Sequence, residues 1–549
     1  MSAKQFQVVH APHGDAAAER VVRAALGDDV TVRFGGEGFV GGPESYQVII
    51  GRDEVVLDGA DPTGTFYAAQ TLRRLVERGE AQPGLVVRDA PAMPFRGSIE
   101  GFYGTPWSHE DRLAHLDFLG EHRMNTYVYA PKNDAYHRDR WREPYPEDKL
   151  AELGELIARA KDNHVRFVFT VSPGLSMRYS DPGDLAALLA KFEAIRQLGG
   201  TSFAVALDDI DHKVWHCEED ERRFAESGAA QAWLLNQVHA WAGPGEPVQL
   251  VPTEYFDLED TPYKKALREQ LHQDVYVWWT GVGVIPRTIT KAEAARAEEV
   301  FGHRILLWDN YPVNDYIHGR VPLGDYSGRE NGLSEHVSGV LSNPMNQAAM
   351  STVALRSFAE FGWDDRHFES RASWRAALAS LAGGRDDVLD ALLTFADLNT
   401  LDERLHLEQA PELSARIEEF WAAWRSGETE AALALLARMA DRLAGVPGLI
   451  RTGVIVPGFA AEADAWLEAT GLWGRALAAA VTALAGGEAE ARARVLELVE
   501  AAGRPTDTKR PHDEAPVRVG DGVLDRFVAD LLAQIPGDIS GSDVATLPH

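Results

Sequence analysis

A run of strand-forming apolar residues, Phe203-Ala204-Val205-Ala206-Leu207, passes directly into Asp208-Asp209-Ile210-Asp211. Carboxylates at the end of a buried strand are costly unless they are solvated, paired or put to use. Asp is also a common turn residue, so the acids alone carry no function. The chemistry they offer is acid and base work, because two close carboxylates in a partly desolvated pocket divide into one that carries a proton and one that stays anionic. A geometric condition comes with it. On a regular strand Asp208 and Asp209 face opposite ways, so both reach one site only where the strand has ended or bulged.

The elements that must position this pair follow a clear rhythm. Short apolar runs over 95–100, 126–130, 166–170, 202–207, 248–252, 275–278, 305–308 and 337–341 read as strands. Amphipathic helices over 110–122, 146–162, 184–198, 218–242 and 291–301 alternate with them, and Ser108-His109-Glu110-Asp111 has the form of a capping box. Eight strands alternating with helices over about 250 residues is the pattern of a (β/α)8 TIM barrel, a mixed α/β fold. A doubly wound open sheet is the alternative, but neither the dinucleotide-binding glycine signature nor a P-loop follows any of these runs.

In such a barrel the active site lies at the C-terminal strand ends. Those ends carry Gly101 after the first strand, Lys132 after the second, Asp208 and Asp209 after the fourth and Tyr255 after the fifth. Trp279 follows the sixth, Trp308, Asn310 and Asp315 follow the seventh, and Asn343 follows the eighth. Each has an ordinary reading as a turn glycine, a solvated lysine, a packed tryptophan or a loop-capping amide. Their common location is what points to a pocket. Aromatic walls with Asn and Asp hydrogen bonders suit a sugar, whose C–H face stacks on a ring and whose hydroxyls need polar partners. A metal site is not expected: His212 and His216 have a four-residue spacing without the Glu of a zinc protease helix. No Gly-x-Ser-x-Gly motif occurs.

The flanks differ in character. Residues 1–93 read as a small α/β domain, with strands over 6–9, 30–34, 46–50 and 54–57 and helices over 15–26 and 63–77. Ala90-Pro91-Ala92-Met93-Pro94 punctuates the junction with the barrel, assigned to 94–364. From residue 365 to 549 the strands stop, and an Ala- and Leu-rich helical domain of packed hairpins is expected. Leu413, Ile417, Phe420, Trp421 and Trp424 fall on one helical face, read as core. Helices over 431–443, 459–485 and 488–501 follow, with Gly486-Gly487 as a break. Residues 503–511 predict a mobile polar loop, and a last helix over 521–534 is expected to dock back.

The totals narrow the function class. With 549 residues the chain exceeds the size of a single core. Its formal net charge of −30 disfavours nucleic acid and anionic membrane surfaces as partners. The single cysteine, Cys217, allows no internal disulfide. The first residues lack the apolar core of a signal peptide and no run of about 18 apolar residues occurs, so a cytoplasmic location is expected.

Five stretches together resemble glycoside hydrolase family 84, the family of O-GlcNAcases and related β-N-acetylglucosaminidases. They are Arg96-Gly97-Ser98-Ile99-Glu100-Gly101-Phe102-Tyr103-Gly104-Thr105-Pro106-Trp107, Asn125-Thr126-Tyr127-Val128-Tyr129-Ala130-Pro131-Lys132, Leu207-Asp208-Asp209-Ile210-Asp211, Pro252-Thr253-Glu254-Tyr255, and Trp308-Asp309-Asn310 with Asn314-Asp315-Tyr316. The Asp-Asp pair separates it from family 20 hexosaminidases, which use Asp-Glu. The resemblance implies a retaining, substrate-assisted exo-hydrolase of terminal β-linked GlcNAc, without metal or cofactor, acting on a GlcNAc-bearing glycoconjugate or glycopeptide. It implies that Asp208 polarises the acetamido group and that Asp209 is the general acid and base. It further implies that Gly101, Lys132, Asn310 and Asp315 hold sugar hydroxyls, that Tyr255 and Asn343 bond near the acetamido group and the pocket edge, and that Trp279 and Trp308 line the pocket. A non-catalytic GlcNAc-binding protein and an endo-acting hyaluronidase are the alternatives. The oligomeric state is left open.

Overall fold

The computed structural model describes residues 7–10, 15–26, 31–35, 39–211, 213–245, 247–400, 408–486, 489–509 and 515–535. The chain begins with β1 (Gln7–His10), α1 (Ala16–Leu26), β2 (Thr31–Phe34), β3 (Tyr46–Ile50), β4 (Glu54–Gly59), α2 (Pro62–Glu77) and β5 (Val86–Asp89). The strands lie in the order β1-β2-β4-β3-β5. Helix α2 starts where its sequence says it should: Pro62 takes the first position and the Asp61 side chain accepts from the Gly64 N–H. Strand β5 was not expected, because it is a short edge strand whose side chains are largely exposed and show no buried alternation. The expected strand residues Phe6 and Val30 lie outside the described residues.

The barrel follows as β6 (Phe95–Glu100), α3 (His109–Glu121), β7 (Thr126–Tyr129), α4 (Glu147–Asp162), β8 (Arg166–Val171), α5 (Pro182–Gln197) and β9 (Ser202–Ala206). It continues with α6 (Glu218–Arg223), α7 (Ser227–Ala242), β10 (Val248–Val251), α8 (Pro262–Gln270), β11 (Val275–Trp279), α9 (Lys291–Phe301), β12 (Ile305–Asp309), β13 (Val337–Ser342) and α10 (Ala348–Trp363). The eight strands are parallel and close on themselves, β13 pairing with β6. The expected helix over 218–242 is two helices, because Phe224 turns to extended backbone and packs its ring among Tyr179 and Trp233. Helix α8 was not foreseen; Thr261 and Pro262 start it.

Alternate residues of each strand serve two cores. Tyr127, Phe169, Phe203, Leu250, Trp279 and Leu307 face the helices, whereas Val128, Val168, Ala204, Ala206, Trp278, Leu306 and Trp308 fill the barrel. The small Ala204 and Ala206 on β9 leave room inside for the rings of Trp278 and Trp308, which meet edge to face at 5.9 Å.

The helical part comprises α11 (Ser370–Leu381), α12 (Asp386–Asp397), α13 (Pro411–Arg425), α14 (Thr429–Gly453), α15 (Phe459–Glu462), α16 (Asp464–Leu484) and α17 (Ala489–Ala502), then a hairpin of β14 (Thr506–Asp507) with β15 (Ala515–Pro516), and α18 (Leu524–Gln534). Gly474 is what lets α14 and α16 touch: a Cβ there would lie 2.3 Å from the Ala444 backbone nitrogen. Helix α18 docks back, its Phe527 ring 5.4 Å from Phe420. The expected break at Gly486-Gly487 is described only at Gly486, which has φ 99°. The loop over 503–511 is not a free surface loop over its described part. Asp507 is buried, and the Thr105 N–H donates to the Lys509 carbonyl at 3.2 Å. Arg510 and Pro511 lie outside the described residues.

Candidate active site

Strand β9 ends at Ala206, and the backbone leaves strand geometry at Asp209, which has φ 54°. The left-handed region is sparsely used by side-chain-bearing residues, Asp and Asn being the more tolerant. The departure meets the geometric condition set by two adjacent carboxylates. Asp208 keeps the inward parity of Ala204 and Ala206 and is 5% exposed. Its Oδ2 accepts from the Lys132 ammonium, itself buried just beyond β7. Its Oδ1 is buried with no hydrogen-bond partner.

Asp209 is exposed and held differently. Its Oδ2 accepts from the Tyr103 hydroxyl at 2.7 Å and its Oδ1 from the Tyr255 hydroxyl at 3.0 Å. Arg138 Nη1 donates to the same Tyr103 oxygen at 2.8 Å. Burial, and then the nearby Asp209 carboxylate, push both phenol pKa values above the ordinary range, although Arg138 pulls against this at Tyr103. Both tyrosines therefore stay protonated donors at neutral pH.

The opposite wall is interlocked. Trp308 Nε1 donates to Asn310 Oδ1 at 2.8 Å, and Asn343 Nδ2 donates to the same oxygen at 2.9 Å. Asn343 Oδ1 accepts from the Gly101 N–H at 3.3 Å, and Asn310 Nδ2 donates to the Val284 carbonyl at 2.8 Å. Gly101 has no room for a side chain, since a Cβ would lie 2.4 Å from the Trp308 ring. Asp315 Oδ2 accepts from the Tyr103 N–H at 2.8 Å, which ties the loop after β12 to the loop after β6.

These groups surround one cavity of about 340 Å³. Gly101, Lys132, Asp208, Asp209, Tyr255, Trp308, Asn310, Asp315 and Asn343, all singled out from the sequence, line it. Trp279 does not, and the expectation for it is corrected. Strand β11 runs one residue further than expected, so Trp278 and Thr280 face inward and Trp279 faces the helices. The Trp279 ring is fully buried there and its Nε1 donates to the Asp257 carbonyl at 3.3 Å, while Thr280 takes the place in the lining. Tyr103 lines the cavity without having been named as a site residue, although it stands two positions beyond Gly101 in the same strand-end turn. Arg138 had no such signal. Asp211 closes a turn, its Oδ1 accepting from the Lys213 N–H at 3.0 Å. His212 lies outside the described residues, and His216 packs Nε2 at 3.3 Å from the Gly174 carbonyl.

Among the described residues, His239, His272 and Asp274 form a group whose ligand atoms lie within 4.8 Å of one another. They sit where β11 begins, at the end of the barrel away from Asp208, and Asp274 is paired with Arg304 at 3.2 Å. Among the described residues no helix is long and apolar enough to cross a membrane.

Comparison with known proteins adds to this geometry. Residues 96–397 match the family model for beta-N-acetylglucosaminidase, and residues 3–90 match that for domain 2 of glycosyl hydrolase family 20. Protein O-GlcNAcase of Mus musculus is 34% identical over 269 residues, covering 48% of this chain and 29% of that protein. N,N'-diacetylchitobiase of Vibrio harveyi is 31% identical over 116 residues, 21% of this chain and 12% of that protein. The chain thus spans less than a third of the length of these curated relatives. The solved structure of CpGH84B matches over 96% of both chains, with 27% identity and a TM-score of 0.81. That of a Thermobaculum terrenum O-GlcNAc hydrolase matches over 80% of this chain and 95% of its own, with 30% identity and a TM-score of 0.72. The barrel, the paired aspartates at the end of its fourth strand and a family model spanning more than half the sequence converge: the chain belongs to the β-N-acetylglucosaminidases of glycoside hydrolase family 84.

Proposed function

We propose that this chain is a retaining exo-β-N-acetylglucosaminidase that removes terminal β-linked GlcNAc from Ser or Thr of polypeptides by substrate-assisted catalysis. The observation that carries the reading is the unlike treatment of two adjacent carboxylates. Asp208 is buried, anchored through one oxygen to Lys132, and offers its bare Oδ1 to a donor in the cavity. An acetamido N–H is such a donor. Bonding it makes the acetamido oxygen a better nucleophile toward C1, and that oxygen displaces the aglycone to form an oxazoline in its protonated, cationic form, whose N–H stays bonded to the Asp208 carboxylate. Asp209, exposed at the mouth, gives its proton to the departing glycosidic oxygen. It then takes a proton from water as the water attacks C1 and reopens the ring, which restores the acetamido group and leaves the anomeric configuration retained.

The cavity supports an exo action, with room for one pyranose. Lys132, Asn310 and Asp315 would hold its hydroxyls, and Asp315, in the loop tied to Tyr103, would close the non-reducing end. The mouth supports a polypeptide aglycone over a further sugar. Of the eight exposed large apolar side chains among the described residues, five (Tyr103, Leu175, Val214, Phe256 and Val282) lie on loops that follow β6, β8, β9, β10 and β11. An apolar rim has little to offer sugar hydroxyls and much to offer side chains flanking a glycosylated Ser or Thr.

Turnover of an aryl GlcNAc glycoside, of a GlcNAc-bearing peptide and of long hyaluronan tests the reading. Release of GlcNAc from the first two, and not from internal bonds of the third, is expected. Asp209→Asn should lose the peptide substrate by roughly a hundredfold or more while sparing aryl glycosides with good leaving groups. Asp208→Asn should slow both. Binding of GlcNAc without any release would instead make the chain a lectin, and an unaltered Asp209→Asn variant would remove the acid/base assignment.

A further inference from the structure

The loop that follows β7 brings a fixed cation to the mouth of the cavity. The buried imidazole of His137 places Nδ1 2.8 Å from the Thr170 carbonyl, and the Ser172 N–H donates to the His137 carbonyl at 2.9 Å. These bonds pin the chain to the end of β8 one residue before Arg138, whose own N–H donates to the Asp134 carbonyl at 3.3 Å. The Arg138 guanidinium lies over the Tyr103 ring, 5.6 Å from its centroid, and uses Nη1 on the Tyr103 hydroxyl. That hydroxyl is the one that donates to Asp209 Oδ2. The guanidinium therefore stands two hydrogen bonds from the acid that meets the glycosidic oxygen.

The rest of the guanidinium is unused. Among the described residues its Nε and Nη2 bond nothing, and neither is shut off from solvent. That edge is the planar fork that matches a carboxylate through two parallel N–H···O bonds. With its backbone pinned and its plane laid on a ring, the side chain loses little freedom on taking a partner. Lys132, the other cation beside the paired aspartates, is buried against Asp208 and has no such edge to offer.

An aglycone that leaves from Asp209 passes this fork. The glycosidic oxygen of a glycosylated Ser or Thr is two bonds from Cα, and the neighbouring Cα atoms lie about 3.8 Å to either side. An Asp or Glu beside the glycosylated residue brings its carboxylate within reach of Nε and Nη2, whereas a Lys there meets like charge. The chain carries a net charge of −30, so a cation at the mouth also offsets the repulsion that an acidic segment meets on approach.

We propose that Arg138 is a specificity-determining residue: it binds the aglycone through Nε and Nη2 and favours polypeptides with a carboxylate beside the glycosylated Ser or Thr. This inference rests on the reading of the cavity as the GlcNAc site of a polypeptide hydrolase, and the experiment separates the two.

Three GlcNAc-Ser peptides that differ only in the adjacent residue, Asp, Asn or Lys, give the readout. At low salt kcat/KM should fall in that order, spanning roughly 5- to 20-fold and mostly through KM, and the span should shrink as salt is added. Arg138→Gln should bring the three together. Arg138→Lys, which keeps the charge and loses the fork, should narrow the span, and it carries the test if the neutral variant does not fold. Tyr103→Phe cuts the bond to Arg138 but keeps the guanidinium, so it should slow all three peptides and preserve their order. If Arg138 acts only through Tyr103, Arg138→Gln slows the three by one factor and leaves the order standing, which overturns the proposal. A parent chain that treats the three alike overturns it too. A parent inert toward every GlcNAc glycoside would instead overturn the reading of the cavity. The dissociation constants of the three peptides then decide, since the proposal requires the same order in the parent and none in Arg138→Gln.

Discussion

Lys132 and Asp208 meet in an ion pair that neither element could hold alone, one from the segment after β7 and one from the end of β9, both almost wholly buried. Burying a carboxylate and an ammonium is tolerable only while they remain partners. Lys132→Met should therefore leave Asp208 uncompensated and destabilise the fold by about 3 kcal/mol at neutral pH. The double variant Lys132→Met with Asp208→Asn should recover most of that loss. Urea unfolding at pH 7 distinguishes the outcomes, and equal stabilities of the parent and Lys132→Met would refute the pair's importance.

Tyr103→Phe removes the donor to Asp209 Oδ2 and the link to Arg138 while keeping the ring over the mouth. A hydrogen bond to a charged group contributes about 1.5–3 kcal/mol, so kcat/KM should fall about 10- to 100-fold. The fall should be steeper for a GlcNAc peptide than for an activated aryl glycoside, because the poorer leaving group depends more on a correctly placed acid.

Gly101→Ala asks the Trp308 ring to move, and that ring is braced by Asn310 and packed against Trp278. Turnover is expected to drop at least about tenfold, whereas circular dichroism should still report a folded barrel. A fully active variant would mean that the ring shifts freely.

Glu462 gives a pH signature outside the site. Its Oε2 accepts from the Met350 N–H at 3.0 Å at the start of α10, and burial pushes its pKa up to about 7 in spite of that bond. The folded chain thus holds this proton more tightly than the unfolded chain, whose carboxyl titrates near 4.5. Stability from this group is fully present below about pH 4.5 and is lost as pH rises through about 7, a change of at most about 3 kcal/mol. Glu462→Gln should flatten that part of the stability–pH curve. Denaturant midpoints between pH 5 and 8 for the two chains give the comparison.

The barrel is legible in the sequence because each strand is a short apolar run and each run ends in residues that a buried strand has no use for. That places Lys132, Asp208, Asn310 and Asn343 around one mouth without any long-range information. The same reasoning fails at Trp279, which lies within the strand rather than beyond it, so that strand alternation turns its ring to the helices. It also fails where partners are remote in the chain. Arg138 is 35 residues from the Tyr103 it supports, and Asp507 is 160 residues from Gln347, so neither leaves a local spacing to read. Phe224 likewise interrupts a helical pattern through its tertiary packing among Tyr179 and Trp233.

The left-handed backbone at Asp209 has a consequence for which acid can stand there. Short side chains that bond their own backbone, Asp and Asn, enter that conformation at small cost, and a longer Glu does not share the advantage. The loop therefore discriminates between the two acidic amino acids before any sugar is bound. An Asp-Glu pair written into this turn would carry a larger backbone cost at its second acid than the Asp-Asp pair does.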